Sequence, residues 1–179
     1  MSFIQTLSGK KFNYLTSTID DIDIEDIANS LSNICRFAGH IPEFYSVAQH
    51  SVQCSKLVPP EFALEALLHD AAEAYVQDIP SPLKRLLADY QRIEERVDSL
   101  VRIKFKLPEM QSSIVKYADL VMLATERRDL EIDDGTKWEC LEGIPATDLF
   151  QIIPLHPGQA FGAFITRFNE LVEIRQCAA

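Results

Sequence analysis

Leu67-Leu68-His69-Asp70-Ala71-Ala72-Glu73 decides how this chain is read. On an α-helix each residue turns by about 100°. With His69 at zero, Asp70 stands at roughly 100° and Glu73 at roughly 40°. An imidazole and two carboxylates then share one arc about a quarter-turn wide, with Glu73 in the middle. Ala66 and Ala63 project into the same arc, at roughly 60° and 120°, and leave room over the polar groups. Leu67 and Leu68 fall on the rest of the wheel and read as buried. Three ionisable groups facing one gap are costly without a cation or another compensating partner. The stretch is therefore a candidate metal or catalytic site.

Outward from it, helical periodicity alternates with chain breakers. The stretch lies in a helix predicted over about 61–76, after the breaker Val58-Pro59-Pro60. Upstream, Ser46 is a candidate N-cap for a helix over 47–57. Before that, Asp20, Asp21 and Asp23 suit the positive start of a helix over 24–37, whose apolar stripe is Ile24, Ile27 and Leu31. Ser8-Gly9-Lys10-Lys11 reads as a tight turn between two short extended pieces. Downstream, the loop 77–82 precedes a short helix over 83–87. Longer helices follow over 89–106 and 111–130, separated by Pro108. Residues 131–155 are rich in Gly, Pro and Asp and read as irregular. A final helix over 158–175 carries Phe161, Phe164, Phe168 and Leu171. The whole, 1–179, reads as one all-α domain, a helical bundle with short irregular N-terminal and 131–155 segments.

Composition narrows the function classes. The chain has 179 residues, 47% hydrophobic and 25% charged, with a net charge of -10. Such an acidic surface repels phosphate backbones, which argues against binding bulk nucleic acid or an anionic membrane. The four cysteines, Cys35, Cys54, Cys140 and Cys177, show no C-x-x-C spacing and read as free thiols of a reducing cytoplasm. The N-terminus lacks the apolar region of a signal peptide, and no apolar run reaches the roughly 20 residues of a membrane span.

Two more residues carry chemistry. His50 points the same way as Val47, Cys54 and Leu57, so it is either a core histidine bonded to a carbonyl or a ligand. Asp119 lies among Val115, Met122 and Leu123, and a carboxylate on an apolar face needs a partner. That partner is either an arginine, Arg127 or Arg128, or a shared cation. Taken together, His50, the pair His69-Asp70, and Asp119, each group on its own helix, give two imidazoles and two carboxylates. That donor set suits a borderline divalent ion.

This order, H…HD…D, resembles the HD-domain metal-dependent phosphohydrolases. The resemblance continues past the ligands. His69-Asp70-Ala71-Ala72-Glu73, followed by Asp78-Ile79-Pro80-Ser81-Pro82-Leu83-Lys84, matches the HD-x-x-E…D-x-P-[ST]-P-x-K signature of the 5'-deoxynucleotidase branch. Arg36-Phe37 resembles that branch's Arg-aromatic pair. The opening is also similar to short HD hydrolases of bacteria and their phages or prophages. The match covers about 24–130; the stretch from 131 aligns with nothing.

The resemblance implies an HD-domain fold and a set of roles. His50, His69, Asp70 and Asp119 would hold one divalent metal ion, of the Mn, Co, Zn, Fe, Ni or Mg type. Glu73 and Asp78 would orient or deprotonate water and help protonate the leaving 5'-oxygen. Arg36 would grip the phosphate, Phe37 would pack on the sugar, and Lys84 would add positive charge or cap its helix. The implied reaction is hydrolysis of deoxynucleoside 5'-monophosphates, with a deoxynucleoside triphosphate triphosphohydrolase or a silent nucleotide-binding module as alternatives. The implied partners are a small nucleotide and a second copy of the chain in a homodimer, with the helix from Asp89 or the last helix as interface. His40 and His156 read as structural or exposed. With four histidines in all, one metal is favoured over two.

Overall fold

The computed structural model describes residues 2–177, in a chain that is 57% helical and 3% strand. A hairpin comes first: β1 (Ile4–Gln5) and β2 (Lys11–Phe12), antiparallel with Ile4 opposite Phe12. The helices are α1 (Ile24–Asn33), α2 (Val47–Cys54), α3 (Ala63–Leu68), α4 (Glu73–Val76), α5 (Ser81–Lys84), α6 (Ala88–Phe105), α7 (Ser113–Asp129) and α8 (Pro157–Cys177). The all-α expectation holds. No helix among the described residues is long and apolar enough to cross a membrane.

The hairpin turns where the sequence says it should. Gly9 takes φ +84°, a left-handed conformation that glycine adopts without a Cβ clash. Asp26 of α1 accepts from both the Ser8 amide and hydroxyl, each at 2.7 Å, and so ties the hairpin to the bundle. The helix starts are equally local. Asp23 caps α1 through the Glu25 amide at 3.0 Å, and Ser46 caps α2 through the Gln49 amide at 3.2 Å.

Packing divides into two cores. In the first, Ile27 and Leu31 of α1, Val47 and Ala48 of α2, and Leu67 and Leu68 of α3 close around Ala160 and Phe164 of α8. Full burial of each large apolar side chain here contributes about 1.5–3 kcal/mol. Ala160, Phe164 and Leu171 of α8 are thus packed inside the bundle. The second core joins Cys54, Ala66, Val115 and Met122 with Tyr45, Leu130 and Ile152. It clamps α2, α3 and α7 together, and the four metal-ligand candidates lie on these elements or just beyond their ends.

Several helices end earlier than their periodicity predicts. α1 stops at Asn33 rather than Phe37 because Cys35 pairs with Ser46 as an isolated bridge, and the Arg36 amide bonds the Tyr45 carbonyl at 2.9 Å. Phe37 and Ala38 then take left-handed backbone, φ 56° and 52°, and turn Arg36 inward. α2 tightens after Cys54, where the Lys56 and Leu57 amides reach back three residues instead of four. α5 begins at Ser81, not Leu83, since its first turn accommodates Pro82. α7 begins at Ser113 because Glu65 captures the Ser112 amide and hydroxyl at 2.7 and 2.6 Å.

The largest departure is at the motif itself. The helix predicted over 61–76 is two helices, α3 and α4, joined by a tight turn over 69–72. His69 Nδ1 donates to the Ala66 carbonyl at 2.8 Å, occupying an acceptor the helix would otherwise use. The amides of Ala71 and Glu73 then bond Leu68 and Asp70, three residues back. In that tighter winding residues three apart eclipse, so Glu73 lines up with Asp70 instead of falling between Asp70 and His69. Ala63 and Ala66 are core residues and do not face a gap.

Candidate metal centre

Two imidazoles are held with one nitrogen each committed elsewhere. The Ala66 carbonyl can only accept, so the 2.8 Å bond places the proton of neutral His69 on Nδ1 and its lone pair on Nε2. His50 is oriented the same way: its Nδ1 lies 2.6 Å from Oε1 of Glu126, a fully buried carboxylate. Both Nε2 atoms point into one space and lie 3.4 Å apart. A carboxylate or carbonyl behind each histidine is the arrangement that presents imidazole to a cation.

Two carboxylates complete the group. Asp119 Oδ1 is 3.2 Å from His50 Nε2 and 3.8 Å from His69 Nε2. Asp70 Oδ2 is 3.2 Å from His69 Nε2 and 3.6 Å from His50 Nε2. Ligand atoms about 2.1 Å from a shared ion stand roughly 3.0 Å apart at right angles and roughly 3.4 Å apart at tetrahedral angles. The observed spacings fall at or slightly above those values, so the donor set fits a single divalent cation. Cys54 Sγ lies 3.3 Å from His50 Nε2, and the donors of His50, Cys54, His69 and Asp119 all fall within 4.8 Å of one another.

The electrostatics match this geometry. Burial and the Arg36 cation push the His50 pKa down, and Cys54, Glu126 and Asp119 more than reverse them, leaving it well above the ordinary value. Burial likewise opposes protonation of His69, and Asp70 and Asp119 overcome it. Asp119 is held well below the usual carboxylate range, its burial outweighed by the two histidines. Positive charge is what this cluster favours, and it takes protons when nothing else supplies it.

Beside the cluster opens a cavity of about 510 Å³, lined by Asp70 and Asp119 together with Arg36, Phe37, Glu73, Asp78 and Lys84. All five further residues singled out from sequence therefore reach one space. Their states differ from simple expectation. Arg36 donates from Nη2 to Glu126 at 2.9 Å and stands 3.8 Å from Asp70 through Nη1, while its buried Nε has no partner. Lys84 is engaged by Glu94 at 2.6 Å. Glu73 Oε2 is buried without a hydrogen bond, and burial plus the nearby Asp70 and Asp78 raises its pKa well above normal. Burial also raises Asp78. His69, Asp70, Glu73 and Lys84 also line a second cavity of about 320 Å³.

Two alternatives from the sequence are settled. Arg127 and Arg128 do not pair with Asp119: they bond Asp133 at 2.6 Å and Asp129 at 2.7 Å. His40 and His156 are exposed and stand apart from the group.

With this geometry established, the relatives are informative. The chain is 66% identical to the uncharacterized protein YfdR of Escherichia coli (strain K12) over 178 residues, 99% of this chain and 100% of that one. The chain belongs to the YfdR family. An uncharacterized protein of Rhodobacter capsulatus is 34% identical over 122 residues, 63% of this chain and 62% of its own. No family model matches the sequence.

In this YfdR-family chain three site residues escape the sequence reading. Glu126 lies seven residues after Asp119, two turns along the same face, but Glu126-Arg127-Arg128 looks like an ordinary charged helix end. Cys54 sits four residues after His50 and reads as plain core. Trp138 lines the cavity from the irregular 131–155 segment, where no periodicity points to it.

Proposed function

We propose that this chain is an HD-domain, metal-dependent phosphohydrolase that converts deoxynucleoside 5'-monophosphates to deoxynucleosides and phosphate. The observation that carries the reading is that the Nε2 atoms of His50 and His69 lie 3.4 Å apart with a carboxylate oxygen of Asp70 and one of Asp119 each within 3.8 Å of both, beside a cavity that also holds Glu73 and Asp78.

When bound there, a divalent cation would polarise a substrate phosphate and offset its developing charge. The chain's own groups do the rest. Asp70 and Asp119 set the negative field that draws a cation in, and Glu126 and the Ala66 carbonyl keep both imidazoles aimed. Glu73 and Asp78 supply carboxyl groups beside the reacting position, one to take a proton from the attacking water and one to return a proton to the leaving 5'-oxygen. Glu126 bonds one terminal nitrogen of Arg36 and Asp70 stands 3.8 Å from the other, so its charge is fixed in place for an anionic ligand.

Product analysis tests this. The metal-stripped protein is incubated with deoxynucleoside mono-, di- and triphosphates, with and without Mn²⁺ or Co²⁺, alongside Asp70→Ala. Orthophosphate from the monophosphates, dependent on metal and lost in Asp70→Ala, is the expected outcome. Tripolyphosphate from triphosphates would replace the nucleotidase by a triphosphohydrolase. No release under any metal would leave a binding module.

A further inference from the structure

The segment 131–155 has no helix longer than one turn, yet it is fastened to the bundle at many points. Both ends of the buried Gln49 amide hold it: Nε2 donates to the Ile153 carbonyl and Oε1 accepts from the Leu155 amide, each at 2.8 Å. Asp129 accepts the Ile152 amide at 2.9 Å, and Thr125 accepts the Thr147 amide at 2.9 Å. Arg127 bonds Asp133 at 2.6 Å and also the Thr136 carbonyl. Its guanidinium lies 4.9 Å from the centre of the Trp138 ring.

This fastening fixes an indole at the wall of the same cavity that Asp70, Asp119, Glu73 and Phe37 line. Arg127 supports the ring as a cation on a π-system. A large planar side chain, in a cavity that also carries Asp70, Asp119 and Glu73, is a surface for another flat ring.

We propose that Trp138 is the base-stacking wall of this site and determines that the ligand carries a heteroaromatic base. The inference rests on the nucleotide reading of the metal centre and adds to it the group that distinguishes a nucleotide from a bare sugar phosphate. Stacking uses the π-face that every base has, so the wall accepts purines and pyrimidines alike.

Trp138 is the one tryptophan of the sequence, so its emission reports directly on the wall. The full chain is titrated with dGMP, dTMP and deoxyribose 5-phosphate, with and without Mn²⁺. Saturable quenching by both nucleotides and none by deoxyribose 5-phosphate is expected. Trp138→Ala should raise KM for dGMP roughly 5- to 150-fold, the range for losing one base–aromatic stack, with a much smaller change in kcat. Trp138→Phe should recover most of that loss, which separates stacking from general damage to the segment. Equal quenching by deoxyribose 5-phosphate, or hydrolysis of dGMP with unmoved emission and an unmoved KM in Trp138→Ala, overturns the inference and leaves the hydrolase reading standing. Quenching by dGMP without hydrolysis under any metal supports the wall and removes the hydrolase. Neither quenching nor hydrolysis overturns both.

Discussion

Glu126 holds His50 from behind: Oε1 of the one lies 2.6 Å from Nδ1 of the other, and both side chains are fully buried. The same carboxylate accepts from Arg36 at 2.9 Å. Burial works against its charge, but Arg36 and His50 keep its pKa below the usual range. A single residue therefore fixes one metal-ligand candidate and one cavity cation.

Glu126→Gln should keep the fold and weaken metal binding by about 10- to 100-fold, the cost of losing a carboxylate behind a ligating histidine. Titration against a metal-buffered indicator measures it. Unchanged affinity would mean that His50 does not depend on Glu126.

Metal binding should also invert the dependence of stability on pH. The surrounding acidic groups, working against burial, raise the pKa values of His50 and His69 in the metal-free protein. A histidine raised by folding stabilises the fold below its unfolded value, near 6.5, and stops doing so as pH climbs through the folded value. The metal-free chain should thus lose melting temperature from about pH 6.5 upward. A cation takes the place of those protons, so the gain from added Mn²⁺ should grow over the same range. Melting curves with chelator and with metal, at a series of pH values, give the answer. A gain that is largest at acid pH would contradict the cluster's assignment.

Glu65 sets the start of α7. It accepts from the Ser112 amide and hydroxyl and lies 3.6 Å from Arg102, and both Glu65 and Arg102 are buried. Glu65→Ala leaves those donors without a partner and should cost about 2–4 kcal/mol. For a chain of this size that is a fall of roughly 5–15 °C in melting temperature. Since α7 carries Asp119, metal affinity should fall as well. A melting temperature within a degree or two of wild type would show that α7 is positioned without Glu65.

Much of this was legible in the residues. Asp23 and Ser46 are strong caps, Ser8-Gly9 is a strong turn, and α6 follows its apolar stripe to within a residue at each end. The grouping of His50, His69, Asp70 and Asp119 as metal-ligand candidates could be read because each is a polar group on an otherwise apolar face. The kink at His69 could not, because it depends on a side-chain bond to Ala66 that competes with the backbone ladder. Nor could the end of α1, where the pairing of Cys35 with Ser46 and the inward turn of Arg36 override helical periodicity. Glu126 and Trp138 were hidden for a related reason: their roles come from partners 76 and 11 residues away in sequence, His50 and Arg127.

Cys54 lies close enough to His50 to compete for a role as ligand, at 3.3 Å. It is fully buried in the core that joins α2, α3 and α7, whereas Asp70 stands at the cavity between both Nε2 atoms. The Co²⁺-loaded protein should therefore show no thiolate-to-cobalt charge-transfer band, and Cys54→Ala should bind Co²⁺ within a few-fold of wild type. A charge-transfer band lost in Cys54→Ala would make the site a softer one, with a preference for zinc over manganese.

Anomalous diffraction from crystals grown with Mn²⁺ or Co²⁺ is the most direct measurement of the centre itself. One peak is predicted, within bonding distance of His50 Nε2, His69 Nε2, Asp70 and Asp119, and absent in His69→Ala. A peak coordinated by Cys54 in place of Asp70, a peak elsewhere, or no peak at saturating metal would contradict the account.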